Sequence, residues 1–155
     1  GKVLPLNKLK NIVRRQKSKG KKIVFTNGCF DVLHVGHARY LKSARRLGDV
    51  LVVGLNSDSS VRKIKGPSRP IVTQGERAEL LSCMPFVDYV VIFRESDPVR
   101  TIKALVPDVL VKGADWKKSA ILGSDIVINA GGQVRRVRLA KGKSTTSIID
   151  KIRRR

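Results

Sequence analysis

The sequence predicts an α/β fold built on a doubly wound parallel sheet, on three observations. Ile23 to Phe25, Val50 to Leu55, Val87 to Phe93 and Asp108 to Lys112 are short apolar runs of the length and β-branched content of buried strands. Stretches with apolar residues at helical spacing separate them, so strand follows helix in the crossover pattern of a parallel sheet. Polar and glycine-containing turns follow the strands, at the carboxyl ends where open α/β sheets bind ligands.

Taken in order, Leu6, Leu9, Ile12 and Val13 predict a docking helix over 6–19, ended by Gly20. The first strand breaks at Thr26-Asn27-Gly28, where a glycine permits a turn or a close approach to ligand. A helix then runs through Tyr40, Leu41, Ala44 and Leu47 to Gly48. The second strand ends at Asn56-Ser57-Asp58, and Ser60 to Ile64 reads as helical or irregular. Lys65 to Ile71, with two prolines and a glycine, is a loop. Gln74 to Met84 is a helix, and Asp97-Pro98 starts another that carries Val99, Ile102 and Leu105. After Gly113-Ala114-Asp115-Trp116, a helix over 126–130, a Gly131-Gly132 turn and an outer strand over 133–139 precede a final helix opened by Ser144.

The segment richest in chemistry is TNGCFDVLHVGH. His34 and His37 are the chain's only histidines, three residues apart around Gly36, at the start of a helix that follows a strand. A helix N-terminus offers unpaired N–H groups and a positive dipole end to an anion. Two imidazoles there can donate to phosphate oxygens and stabilise charge in a phosphoryl transition state. A lone histidine would more simply be a packing residue, but this pair in this setting predicts a phosphate site. A metal pair completed by Cys29 or Asp31 is the weaker alternative, because two histidines do not fix a zinc.

At 155 residues the chain predicts a single domain with a real core. No apolar run is long enough to span a bilayer, and Gly1 to Pro5 carries no secretory pattern. Two cysteines, Cys29 and Cys83, do not make a disulfide framework, so a reducing cytoplasm is expected. The net charge is +21, from 33 Lys+Arg against 12 Asp+Glu. Clusters such as Arg135-Arg136, Arg138 and Arg153 to Arg155 would attract polyanions non-specifically. A nucleic-acid-binding role, an unusual native surface and an engineered surface all fit that excess. Only 5% of residues are aromatic and none interleave with the basic clusters, so any nucleic-acid binding should be sequence-blind and salt-sensitive.

FDVLHVGH resembles the HxGH signature of the cytidylyltransferase-like nucleotidyltransferases. LNSDSSVRKIKGPSRPI, ERAELL, VDYVVIF, PDVLVKGADW and STTSIIDKI extend the likeness, in order, to the adenylyltransferase domains of bacterial ADP-heptose synthases, from about Gly20 to Ile152. The resemblance implies a Rossmann-like sheet, with 1–20 a helix and lead-in, 21–152 the catalytic fold and 153–155 a basic tail. It implies transfer of AMP from ATP to heptose 1-phosphate, releasing pyrophosphate. The nearest rival is a glycerol-3-phosphate cytidylyltransferase-like enzyme; a basic nucleic-acid-binding or packaging protein on this scaffold is the rival from another class. In the resembled bifunctional enzymes a sugar-kinase domain precedes this region, so a chain complete as it stands predicts a separate kinase. Relatives commonly form dimers, which implies a homo-oligomer.

The resemblance also assigns roles. His34, His37, Lys65 and Thr145 are implied in catalysis. Asn27, Gly28, Cys29, Phe30, Asp31 and Gly36 are implied in nucleotide binding. So are Arg77, Lys112, Gly113, Asp115, Trp116, Ser144 and Thr146. Asn56, Asp58 and Arg69 are assigned to the acceptor side. Each has a plainer reading too: Asn56 to Asp58 as turn formers, Lys65 and Arg69 as solvated charges, Arg77 as a partner of neighbouring glutamates, Trp116 as packing, Ser144 as a helix cap. Magnesium would accompany the triphosphate, with Asp31 a candidate contact and no dedicated protein metal site. Lys141-Gly142-Lys143 is more basic than the resemblance leads one to expect.

Overall fold

Strands β1 (Ile23–Gly28), β2 (Val50–Asn56), β3 (Tyr89–Phe93), β4 (Val109–Gly113) and β5 (Gln133–Val137) form a parallel sheet in the order β3-β2-β1-β4-β5. The computed structural model describes residues 1–155, except for the side chain of Lys118. Helices α1 (Leu6–Ser18), α2 (Val35–Arg45), α3 (Asp58–Lys65), α4 (Gln74–Ser82), α5 (Val99–Leu105), α6 (Ser124–Asn129) and α7 (Thr145–Arg153) surround it.

The alternation of side chains along the strands builds two apolar layers. Ile23, Phe25, Val50 and Val52 pack with Leu9 and Val13 of α1, Ile102 and Leu105 of α5 and Val127 of α6. Val24, Leu51, Val53 and Leu55 pack on the other face with Leu41 and Ala44 of α2 and Ala78 and Leu81 of α4. Because both faces are covered, the central strands carry continuous apolar runs rather than alternating, and β2 is buried at every residue, whereas the edge strand β5 exposes Gln133, Arg135 and Arg136. The free edge of β3 is masked by the N-terminus: Leu4 N–H donates to Val90 O, and Val90 N–H to Lys2 O.

The chain winds outward from β1 through β2 to β3, then returns to the far side of β1 for β4. That reversal opens a crevice between the carboxyl ends of β1 and β4, whose register pairs Thr26 with Val111. The loop from β1 to α2 enters the crevice with a strained backbone: Phe30 has φ 47° and Val32 φ 51°. Positive φ is costly for bulky or β-branched residues and persists only where surroundings enforce it.

Several boundaries differ from the sequence expectation by a residue or more. The stretch after β2 is a regular helix, α3, because Ser57 Oγ accepts the Ser60 N–H and Asp58 sits in its first turn. The outer strand β5 stops at Val137 rather than Leu139. Helix α2 begins at Val35, which leaves His34 as its cap rather than its first-turn residue.

Candidate active site

The crevice holds a cleft of about 340 Å³. Every residue assigned from the sequence lines it except Arg77, Asn56 and Asp58. Four segments converge there: the β1–α2 loop, Lys65 at the end of α3 (where the sequence placed the start of the loop) with Arg69 in the loop after it, the end of β4 from Lys112 to Trp116, and the N-terminus of α7.

The two histidines are set by the first turn of α2. His34 Nδ1 accepts the Gly36 N–H at 3.1 Å, and His37 Nδ1 accepts the His34 N–H at 3.3 Å, so each caps the helix reciprocally. An accepting Nδ1 places the proton of a neutral imidazole on Nε2. His34 Nε2 is buried and has no partner among the described residues. The rings stack with centroids 3.8 Å apart, and Phe30 meets His37 edge-on at 5.3 Å. A Cβ on Gly36 would lie 2.8 Å from His34 Cε1 and 3.1 Å from Lys143 Cβ, so glycine is what lets the ring fold over the helix start.

Both imidazoles are held neutral at neutral pH. Burial lowers the His37 pKa to about 4, helped by His34 and Lys65, while Asp31 opposes the shift weakly. Burial, with Lys143 beside it, also lowers that of His34. A histidine depressed in the fold takes up its proton only on unfolding, so stability must fall as pH drops from 6.5 towards 4. A His37→Gln variant should show a shallower loss of thermal midpoint across that window than the wild type; parallel curves would contradict this placement.

The α7 N-terminus supplies the opposite wall. Ser144 caps it, its Oγ accepting the Ser147 N–H at 3.0 Å, which leaves the backbone N–H groups of Thr145 and Thr146 unpaired at the cleft. Thr145 Oγ1 donates to Asp31 O at 2.6 Å, so its hydroxyl proton holds the β1–α2 loop in place. Helices α2 and α7 thus present two positive ends to one volume.

Asp31 corrects one expectation. Its carboxylate accepts from Arg69 Nε and Ile71 N–H, each at 2.8 Å, and from Val72 N–H at 2.9 Å, and the residue is 2% exposed. Burial opposes its ionisation, but the two backbone donors and Arg69 prevail and hold the carboxyl below its ordinary value. It is a strut between two loops rather than a group free to ligate magnesium. Among the described residues no cluster of three or more His, Cys, Asp or Glu could hold a metal. The donors present fit a cation that arrives on the oxygens of a triphosphate.

Arg77, Asn56 and Asp58 are the second correction. Arg77 is fully buried and donates to Val72 O, Cys29 O, Asn56 O and Asp58 Oδ1 at 2.6–2.9 Å. Asn56 donates to Ser60 Oγ, and Asp58 accepts from the Gln74 N–H besides Arg77. The three tie the end of β2 to the loops beside it. They miss the cleft because the chain reverses between β1 and β4, not between β1 and β2.

At the end of β4, Lys112 Nζ lies 5.0 Å from the centroid of Trp116, a ring that is 46% exposed. Burial lowers the Lys112 pKa against the opposing pull of Cys29 and Asp115, and burial raises that of the Cys29 thiol against nearby cations. Asn27 Oδ1 is buried without a partner among the described residues.

Sequence reasoning missed Tyr40 and Lys143 as cleft residues. Tyr40 OH bonds Thr26 Oγ1 at 2.7 Å, and burial pushes its pKa up to about 12. The signal existed: Tyr40 follows His37 by three residues and so shares its helical face. Lys143 immediately precedes the Ser144 cap, a lysine beside an anion-binding helix start.

A polar, cation-lined crevice at the switch point of a parallel sheet, with an HxGH helix start and a second helix start facing it, defines a nucleotidyltransferase. The family model described as Cytidylyltransferase-like matches residues 25–150, and the chain belongs to that family. It is 53% identical over 153 residues to the "Bifunctional protein HldE" of Geobacter metallireducens, covering 99% of this chain and 31% of that protein. The Helicobacter pylori J99 protein of the same name is 50% identical over 153 residues, covering 99% of this chain and 32% of its own length. The chain therefore spans about a third of the curated relatives it matches. The crystal structure of the lipopolysaccharide core biosynthesis protein from Thermoplasma volcanium is 31% identical with a TM-score of 0.65, covering 80% of this chain and 100% of that one. Among the described residues no helix is long and apolar enough to cross a membrane.

Proposed function

We propose that this chain is a single nucleotidyltransferase domain that transfers AMP from ATP to D-glycero-β-D-manno-heptose 1-phosphate, giving ADP-heptose and pyrophosphate. The observation that carries the reading is the pair of imidazoles whose Nδ1 atoms accept backbone N–H groups, lining one cleft with the unpaired N–H groups of the α7 N-terminus. The ordered likeness to the adenylyltransferase part of ADP-heptose synthases, and near-full coverage by the bifunctional relatives, support the choice of acceptor.

The acceptor's phosphate oxygen attacks the α-phosphorus, the bond from that phosphorus to the β-bridging oxygen breaks, and pyrophosphate leaves with the electron pair. A phosphate nucleophile is already ionised, so the protein needs no general base. Its contribution is position and charge. His34 and His37 donate to the α- and β-phosphate oxygens, Lys65 adds a cation, and Thr145 and Thr146 N–H groups hold the triphosphate's far end. Lys112, Gly113, Asp115 and Trp116 flank the base and ribose. Magnesium brought with the triphosphate would supply further charge neutralisation beside these residues.

Two further readings follow from the surface. α7 buries none of its side chains and Ile152 is 68% exposed, which supports a homo-oligomeric assembly over that helix. The +21 charge supports weak, salt-sensitive binding of nucleic acid as a side property. Pyrophosphate release, measured with ATP or CTP against heptose 1-phosphate or glycerol 3-phosphate at moderate salt, tests the reading. Turnover confined to ATP with the heptose agrees with it. Preference for CTP and glycerol 3-phosphate, or no turnover beside tight salt-sensitive nucleic-acid binding, contradicts it.

A further inference from the structure

The two edges of the sheet differ. The N-terminus masks β3, whereas β5 is the last strand on its side and no described segment pairs with its outer edge. Gln133 N–H donates to Asp108 O and Val137 O accepts the Ala114 N–H, so Gln133, Arg135 and Val137 turn their backbone groups towards β4. By the two-residue period of a strand, Val134 and Arg136 turn theirs outward. Beside that bare edge runs a groove of about 330 Å³, lined by Ser124 and Ile128 of α6 and by Gln133, Val134 and Arg135. Ile128 leaves 56% of its surface exposed there. Arg135, Arg136 and Arg138 stand exposed along the edge, and none of them forms an ion pair among the described residues.

We propose that this edge docks an extended acidic segment of a partner protein, which joins the sheet as a further strand beside β5. The outward N–H and C=O groups of Val134 and Arg136 supply the backbone pairing. Side chains of an added strand alternate between the two faces of the sheet. Val134 packs in the layer that holds Val127 of α6, so the added side chains on that face meet the Ile128 groove, which suits apolar residues. Strand alternation puts Arg135 on the opposite face, where it suits carboxylates. A second copy of this chain fits worse: β5 paired with itself sets arginines against arginines, and like charges across a ladder are destabilising. Nucleic acid answers the arginines, but a phosphate backbone uses neither the strand edge nor the groove. The edge takes no part in the proposed adenylyl transfer.

The probe is an end-blocked octapeptide of alternating glutamate and valine, titrated into the full ¹⁵N-labelled chain at physiological ionic strength. In the free protein the amides of Val134 and Arg136 should exchange fast with solvent, while that of Gln133, bonded to Asp108 O, is protected. Saturating peptide should slow both exposed amides about tenfold or more and shift their resonances. Arg135 is exposed, so Arg135→Glu should keep a dispersed spectrum, and it should weaken the peptide's affinity roughly tenfold. Two N-methylated peptides, one blocked at its valine amides and one at its glutamate amides, separate strand addition from charge attraction without altering the protein. Whichever direction the added strand takes, one of the two should lose binding. Affinity of both equal to that of the parent peptide overturns the proposal. So does slow exchange of Val134 and Arg136 in the free protein together with a concentration-dependent dimer in sedimentation, which would put a second copy on the edge. A thymidine oligonucleotide should leave those two amides in fast exchange; protection equal to the peptide's would make the edge a general polyanion surface and overturn the acidic strand.

Discussion

Replacing His37 with alanine should lower kcat by about 10²- to 10³-fold, the usual consequence of removing one positioned donor to developing charge. Two arrangements make the effect large. The Nδ1 of His37 is occupied by the His34 N–H, so the ring's one remaining donor is Nε2–H. The ring is also packed between His34 and Phe30, so no neighbouring group can swing in to replace it. Water filling the space would not be oriented beforehand. Because the interaction strengthens as charge builds, the loss should fall mainly on kcat. A rise in KM for ATP with kcat unchanged would show that His37 only binds ground-state nucleotide.

Arg77→Ala should be the most destabilising single change, by about 3–5 kcal/mol, the range for stripping one partner from a buried charged network. Four acceptors from four different segments lose their donor at once: Cys29 O in the β1–α2 loop, Asn56 O at the end of β2, Asp58 Oδ1 and Val72 O. Three are carbonyls and one a carboxylate, and the bond to Asn56 O is fully buried. In a chain of this size the loss corresponds to a fall in thermal midpoint of roughly 10 °C or more. Arg77→Lys should recover only part, because an ammonium is a point donor and cannot span acceptors on several sides. A midpoint within about 2 °C of the wild type in Arg77→Ala would contradict the placement.

That residue also shows where sequence reading stops. Its neighbours in the chain, Glu76 and Glu79, suggest a local surface pair, whereas its partners lie 5, 19, 21 and 48 residues away. Long-range polar networks leave no periodic trace. The sheet and its layers were legible because burial on both faces forces apolar runs, and because turn and cap residues punctuate them: Gly20 follows the end of α1 and Ser144 caps α7. The histidine loop was legible from the succession of strand, glycine and HxGH. Which strand neighbours β1 on its other side was not. Asn56 and Asp58 were consequently assigned to a crevice on the wrong side of β1, and Asp31 offered as a candidate magnesium contact when its oxygens serve Arg69 and two backbone N–H groups.

The central claim is that His34 and His37 are neutral Nε2–H donors aimed at a triphosphate. Since the chain contains only two histidines, a long-range ¹H–¹⁵N NMR spectrum of the imidazole nitrogens reports on them without assignment ambiguity. At pH 7 both rings should show the Nε2-protonated neutral pattern, with no titration near 6.5, and adding ATP with magnesium should shift both Nε2 resonances. Rings that titrate near 6.5 in the free protein, or that ignore the nucleotide, would contradict the account.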